Sequence, residues 1–241
     1  MTLDSSSSFD IPSGQRLIVA LDVPSTDEAK SLVKQLGEAV EFYKIGLELA
    51  GTKGYFDLLE WLVLQGKRVF ADLKLYDVPA TVSAAVRQLS NTGASFLTVH
   101  GDKSIMEAAA SEKGDLQILA VTVLTSMDNQ DLKQMGISLD VRDLVIERAK
   151  LAVATGCDGV IASGLEAASL RKKIGIKPLI VTPGIRPADS AKADDQKRIV
   201  TPKDAFKAGA NFIVVGRPIR NAPDPRLMAE IIQTEIAKSL Y

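Results

Sequence analysis

Short apolar runs alternate with longer amphipathic stretches along nearly the whole chain, and this alternation is the strongest constraint on its fold. The apolar runs are Leu17–Leu21, Phe42–Ile45, Arg68–Leu73, Phe96–Val99, Ile118–Leu124, Gly159–Ala162, Leu179–Val181 and Phe212–Val215. They are rich in β-branched and aromatic residues and are apolar at nearly every position. That pattern belongs to strands buried on both faces of a parallel sheet, not to half-solvated antiparallel strands. Helical periodicity fills the intervals, at Thr26–Leu36, Tyr55–Gln65, Pro79–Thr92, Ser104–Glu112, Val141–Thr155, Leu165–Lys173, Pro202–Ala208 and Arg226–Lys238. Ser25 or Thr26 ahead of Asp27-Glu28, and Thr201 ahead of Pro202, are helix-start signals.

Eight strand–helix units within 241 residues match the arithmetic of a closed (β/α)8 barrel, the TIM-barrel architecture of the α/β class. An open doubly wound sheet is the alternative. It is weakened by the segment after the first strand, LIVALDVPSTDEA, which carries no G-x-G-x-x-G. No linker or shift in composition divides the chain, so residues 16–241 are expected to form one domain. Residues 1–15, MTLDSSSSFDIPSGQ, are expected to form a flexible tail. This start has neither the basic residues nor the apolar stretch of a secretory signal.

Composition removes several functional classes. With 29 Lys+Arg against 30 Asp+Glu, the formal net charge is −1, which offers no basic footprint for nucleic acid. The single cysteine, Cys157, allows no internal disulfide or thiolate cluster, and the single histidine, His100, excludes paired-histidine metal motifs. No apolar run approaches the ~18–20 residues needed to span a bilayer. The expected compartment is the cytoplasm, with no membrane or nucleic-acid partner.

In a barrel the carboxyl ends of the strands and the loops that follow them form the active face. Asp22 ends the first strand and Lys44 lies in the second, while the third runs into Asp72-Leu73-Lys74-Leu75-Tyr76-Asp77. Strand alternation places Asp72 and Lys74 on the same side, with Lys44 within reach on the neighbouring strand. Buried charge is costly unless paired, and a pair is often no better than apolar packing. The grouping is therefore read as a catalytic charge array, with a neutralised internal salt-bridge network as the alternative. Later strands lead to His100-Gly101-Asp102, Thr125-Ser126, Ser163-Gly164, Pro183-Gly184-Ile185-Arg186 and Gly216-Arg217-Pro218. Glycines that expose backbone N–H groups, beside Arg186 and Arg217, suit a phosphate after strands seven and eight. The polar stretch Arg186–Arg198 is expected to act as a mobile lid. His100 is read as a hydrogen-bonding support, and Cys157 and Trp61 as packing residues.

DLKLYDVPATV, preceded by ALDVP and FYKIGLEL and followed by VTVLTS, TPGIRP and VVGRPI, resembles the orotidine 5′-phosphate decarboxylase family from about Arg16 to Ile236. The resemblance implies that Lys44, Asp72 and Lys74, with Asp77 from a partner subunit, form an alternating charged array, and that Lys74 donates a proton to pyrimidine carbon six. It also implies that Asp22 bonds the ribose, that Thr81 belongs to the substrate-binding segment, and that Thr125 and Ser126 contact the pyrimidine. By the same resemblance Arg186, Gln196, Gly216 and Arg217 are expected to hold the phosphate. The implied enzyme is a homodimer that turns a nucleotide substrate over without metal or cofactor. Tyr76 and Ala80 stand where the family commonly has His and Asn. Two rivals are a metal-dependent phosphosugar decarboxylase on the same barrel and a non-catalytic nucleotide-binding barrel. Lys44 opposes the cation of the first, and the second has no use for the two lysines.

Overall fold

The computed structural model describes residues 11–187 and 199–240. Its elements run β1 (Leu17–Ala20), α1 (Thr26–Leu36), β2 (Phe42–Gly46), α2 (Leu47–Ala50), α3 (Tyr55–Leu64), β3 (Arg68–Leu75), α4 (Pro79–Leu89), β4 (Phe96–His100) and α5 (Lys103–Glu112). The second half continues with β5 (Gln117–Val121), α6 (Asn129–Gln134), α7 (Val141–Ala154), β6 (Gly159–Ile161), α8 (Gly164–Ile174), β7 (Leu179–Thr182), α9 (Pro202–Lys207), β8 (Phe212–Val215), α10 (Arg217–Arg220) and α11 (Pro225–Leu240). Strands β1 to β8 pair in sequence order, all parallel, and β8 returns to β1 with Leu17 opposite Ile213. The barrel is closed, which removes the open-sheet alternative.

Closure explains why the strands read as unbroken apolar runs. Ile18, Ala20, Phe42, Phe70, Phe96, Leu119, Leu179, Val181, Phe212 and Val214 pack together inside the barrel. Leu17, Val19, Tyr43, Ile45, Val69, Ala71, Leu97, Ile118, Val160 and Ile213 face outward into the layer shared with the helices. Each strand therefore buries both sets of its alternating side chains. The lower interior is an aromatic plug. Phe96 lies 5.0 Å from Phe42, 5.2 Å from Phe212 and 6.0 Å from Phe70 between ring centroids. The Arg68 guanidinium sits 4.2 Å from the Phe42 ring centroid. Such edge-to-face pairs add about 0.5–1.5 kcal/mol each beyond area burial. The plug gives the upper cavity a rigid floor.

Helix starts follow their side chains. Ser25 accepts the Glu28 N–H, Thr201 accepts the Asp204 N–H ahead of Pro202, and Asp128 forms a reciprocal capping box with Asp131. Three short helices, α2, α6 and α10, were not expected from the sequence; α2 and α10, with four residues each, carry too little of a helical repeat to show a period. The fifth strand also ends earlier than its apolar run, which extends to Leu124. After Val121 the chain leaves the ladder, and residues 123–126 turn to line the cavity. Within the expected tail, Ser13–Gln15 form a single 3-10 turn, and Ile11 packs against the interior cluster with its carbonyl accepting from Arg16 Nε at 3.0 Å. Residues 1–10 lie outside the described residues. Cys157 is buried in the outer core, and Trp61 packs partly against it.

Candidate active site

A cavity of about 290 Å³ opens at the carboxyl ends of the strands. Asp22, Lys44, Asp72, Lys74, Thr125, Ser126, Gly184, Arg186, Gly216 and Arg217, placed there from sequence, all line it. Arg220, which sequence reasoning missed, joins them from the end of α10. Phe70, Val121, Ile161 and Val214 supply an apolar floor. Polar groups thus converge at two ends of a cavity with an apolar base, the usual form of a small-ligand site.

The charged end is a chain of contacts of alternating sign. Lys44 Nζ lies 2.8 Å from Asp22 Oδ1 and 3.4 Å from Asp72 Oδ2, while Lys74 Nζ donates to Asp72 Oδ1 at 2.8 Å. The Thr98 hydroxyl donates to the same Asp72 Oδ1 at 2.9 Å. Burial alone would raise the Asp72 pKa. Lys44 and Lys74, with the hydrogen bonds from Lys74 and Thr98, outweigh it and hold the carboxyl below its ordinary range. Burial likewise opposes the charge on Lys44, and Asp72 and Asp22 overcome it, raising that pKa. Both groups are ionised at neutral pH. At an effective dielectric near 20 each such contact supplies about 4–6 kcal/mol, and removing the ions from water takes back several kcal/mol per ion. The array therefore adds little net stability for the charge it buries.

Local backbone serves the same end. Gly46, two residues beyond Lys44, would place a side-chain Cβ 3.0 Å from Lys44 Nζ, so any other residue would crowd the ammonium against its partners. Lys74 has φ +47°, the one non-glycine residue at positive φ among those described. The left-handed conformation costs a residue of this kind on the order of 1 kcal/mol. Strict alternation does not hold here, because the β3–β4 register shifts between Ala71 and Leu75. Asp72 and Lys74 still meet, through a bulge and not through a regular pleat.

At the opposite end, Gly184 and Arg186 follow β7, and Gly216 and Arg217 sit where β8 passes into α10. The Arg186 backbone is fixed by a bridge between Ile185 and Val200. Asp77 and Thr81 do not reach this cavity. Both are exposed, and the Asp77 carboxylate accepts the Val78 N–H at 2.6 Å. Gln196, and with it most of the expected lid from Arg186 to Arg198, lies outside the described residues. His100 does not line the cavity; its ring lies 4.8 Å from that of Tyr76, a ring contact where a hydrogen-bonding role was expected. Among the described residues no group of three or more His, Cys, Asp or Glu side chains could hold a metal ion, and no helix is long and apolar enough to cross a membrane.

Comparison with known proteins agrees with this geometry. Residues 15–232 match the Orotidine 5′-phosphate decarboxylase / HUMPS family. The chain is 55% identical over 226 residues to an orotidine 5′-phosphate decarboxylase of Methylococcus capsulatus, covering 94% of this chain and 93% of the relative. It is 53% identical to one from Rhodopseudomonas palustris, covering 93% and 95%. The crystal structure of orotidine 5′-phosphate decarboxylase from Lactobacillus acidophilus superimposes with a TM-score of 0.82 at 36% identity, covering 92% of this chain and 99% of that one. With the charged strand ends, the closed barrel and these matches in agreement, this chain belongs to the orotidine 5′-phosphate decarboxylase / HUMPS family.

Proposed function

We propose that this protein removes CO2 from orotidine 5′-phosphate to give uridine 5′-phosphate, the last step of UMP biosynthesis. The observation that carries the reading is the Lys74 ammonium, held 2.8 Å from Asp72 inside the cavity and fixed from behind by Lys44 on the other carboxylate oxygen. Breaking the bond between carbon six and the carboxyl group leaves an electron pair on carbon six. Lys74 stabilises that developing charge and then transfers its proton to the carbon. Asp72 keeps the ammonium aimed. Arg186, Gly216 and Arg217 hold the phosphate, Gln196 joins them, Thr125 and Ser126 meet the pyrimidine, and Asp22 bonds the ribose. Phosphate binding far from the breaking bond supplies affinity that positions the reacting end.

Asp77 and Thr81 act across a homodimer interface in this reading. Both are exposed and outside their own chain's cavity, and they lie in a segment with two solvent-facing apolar side chains, Tyr76 at 65% and Val78 at 62% exposure. Such a patch fits a protein contact. The reaction as written needs no metal or cofactor. Lys44 bridges Asp22 and Asp72, the carboxylates a magnesium ion would need, which argues against the phosphosugar alternative. Action in the cytoplasm accords with a lone, buried, unpaired thiol.

The test is ultraviolet absorbance of orotidine 5′-phosphate mixed with dialysed protein in excess chelator. Conversion to the uridine 5′-phosphate spectrum is expected. An unchanged spectrum with folded protein would overturn the assignment.

A further inference from the structure

The β3–β4 pairing holds a feature that the charged residues do not explain. Ala71 is opposite Leu97, yet Leu75 is opposite Val99, so four steps along β3 match two along β4. The surplus residues bulge toward the cavity and carry Asp72 and Lys74. A bulge takes backbone groups out of the ladder, and a buried N–H without an acceptor is costly. The Lys74 N–H is received not by a carbonyl but by Thr98 Oγ1, at 3.0 Å. The same oxygen directs its one proton to Asp72 Oδ1 at 2.9 Å. Thr98 is 0% exposed, so no water competes for either bond.

We propose that Thr98 is the positioning residue of the proton donor: one hydroxyl fixes the left-handed Lys74 backbone and the carboxylate that aims the Lys74 ammonium. A hydroxyl suits this task because it accepts and donates at a single atom. Valine has the same shape and can do neither. Serine keeps both bonds. The two groups that must stay in register, the Lys74 main chain and the Asp72 carboxylate, are thus tied to one atom of a neighbouring strand. Thr98 does not line the cavity and touches no substrate; its effect passes through Lys74 and Asp72.

The inference rests on the decarboxylase reading for its kinetic test. Steady-state kinetics on orotidine 5′-phosphate should compare wild type with Thr98→Val, Thr98→Ser and Thr98→Ala in the full chain. Misplacement of a reacting group by about 1 Å can cost on the order of 100-fold in rate. The kcat of Thr98→Val is therefore expected to fall by roughly 10- to 100-fold with KM within about threefold. Thr98→Ser should keep kcat within about threefold of wild type, while Thr98→Ala falls with Val. The Ser/Ala pair differs only by the hydroxyl and decides the matter if the valine variant does not fold. Amide hydrogen exchange at Lys74 gives a readout free of substrate: protection in wild type and Thr98→Ser, and its loss in Thr98→Ala. Equal kcat in Ser and Ala, a loss confined to KM, or unchanged Lys74 protection in Ala would each overturn the proposal. Failure of wild type to turn over the nucleotide would overturn the functional reading instead, and the exchange experiment would still decide the role of Thr98.

Discussion

Two cations illustrate the difference between a charge that holds the fold and one that is held for use. Arg171, in α8, lies at the end of the barrel opposite the cavity. Its Nε donates to the Gly209 carbonyl at 2.7 Å, its Nη1 to the Pro178 carbonyl at 2.6 Å and to the Gly175 carbonyl at 3.2 Å, and its Nη2 to the Asn211 amide oxygen. That amide oxygen also accepts the Ile180 N–H at 2.8 Å. The guanidinium thereby ties together the segments that enter β7 and β8. Burial pushes its pKa down to about 10, and it remains charged at neutral pH. Lys74 is also half-buried, yet its ammonium meets one carboxylate and faces an open cavity. A saturated cation is structural. An oriented cation with donors left over is available to a ligand.

Removing the open cation should give the largest effect. On the proposed mechanism Lys74→Ala removes both the charge beside carbon six and the proton, and kcat is expected to fall by at least ~10⁴-fold. Product binding and folding should survive, because the phosphate end is untouched. Single-turnover decarboxylation within tenfold of wild type would refute the donor role. A mixing experiment sharpens the point by asking whether the site belongs to one chain. Inactive Asp77→Ala and inactive Lys74→Ala, exchanged at equal amounts, give hybrid dimers with one intact site, and about a quarter of wild-type activity should return. No recovery after demonstrated subunit exchange would confine each site to its own chain.

Much of this contrast was written in local sequence. Eight apolar runs specified a parallel sheet buried on both faces, and their number pointed to the barrel that strand pairing closes, while strand ends carrying Asp22, Lys44, Asp72 and Lys74 specified the charged end because apolar packing has no need of them. Thr98 was not legible: within FLTVH it reads as an ordinary β-branched strand residue, and only the β3–β4 register reveals its two bonds. The register itself, and the positive φ at Lys74, depend on how two distant strands align. Arg220 escaped notice because it lies on a helix of a single turn. Arg171 reads as one of a surface trio with Lys172 and Lys173 until the loops before β7 and β8 fold over it.

Removing the saturated cation should have the opposite signature. Arg171→Ala orphans the Gly209 and Pro178 carbonyls and unpins Asn211. Breaking such a network costs about 2–3 kcal/mol, or roughly 5–10 °C in Tm for a chain of this size. The kcat of the folded fraction should be unchanged, as the substitution lies at the far end of the barrel. Calorimetry beside kinetics separates the two effects. A drop in kcat at unchanged Tm would erase the distinction between the two cations.

His100 gives the smallest expected effect and tests whether the surroundings of the cavity stay neutral. Burial lowers its pKa, and the positive charges of Arg148 and Lys74 lower it further, against the opposing pull of Asp102. The folded protein thus takes up a proton on His100 at lower pH than the unfolded chain, whose histidine titrates near 6.5. Below that value the unfolded state binds more protons, so stability falls as pH drops through and below it, and the contribution is fully present above it. His100→Gln cannot titrate and should lack this component. Between pH 7.5 and 5.5 the Tm of wild type should fall more than that of the variant, by on the order of 1–2 °C. The exposed part of the ring keeps the difference small, because solvent screens the two cations that resist protonation. Parallel Tm curves for the two proteins would mean that Asp102 offsets burial and both cations, leaving His100 free to charge beside the array.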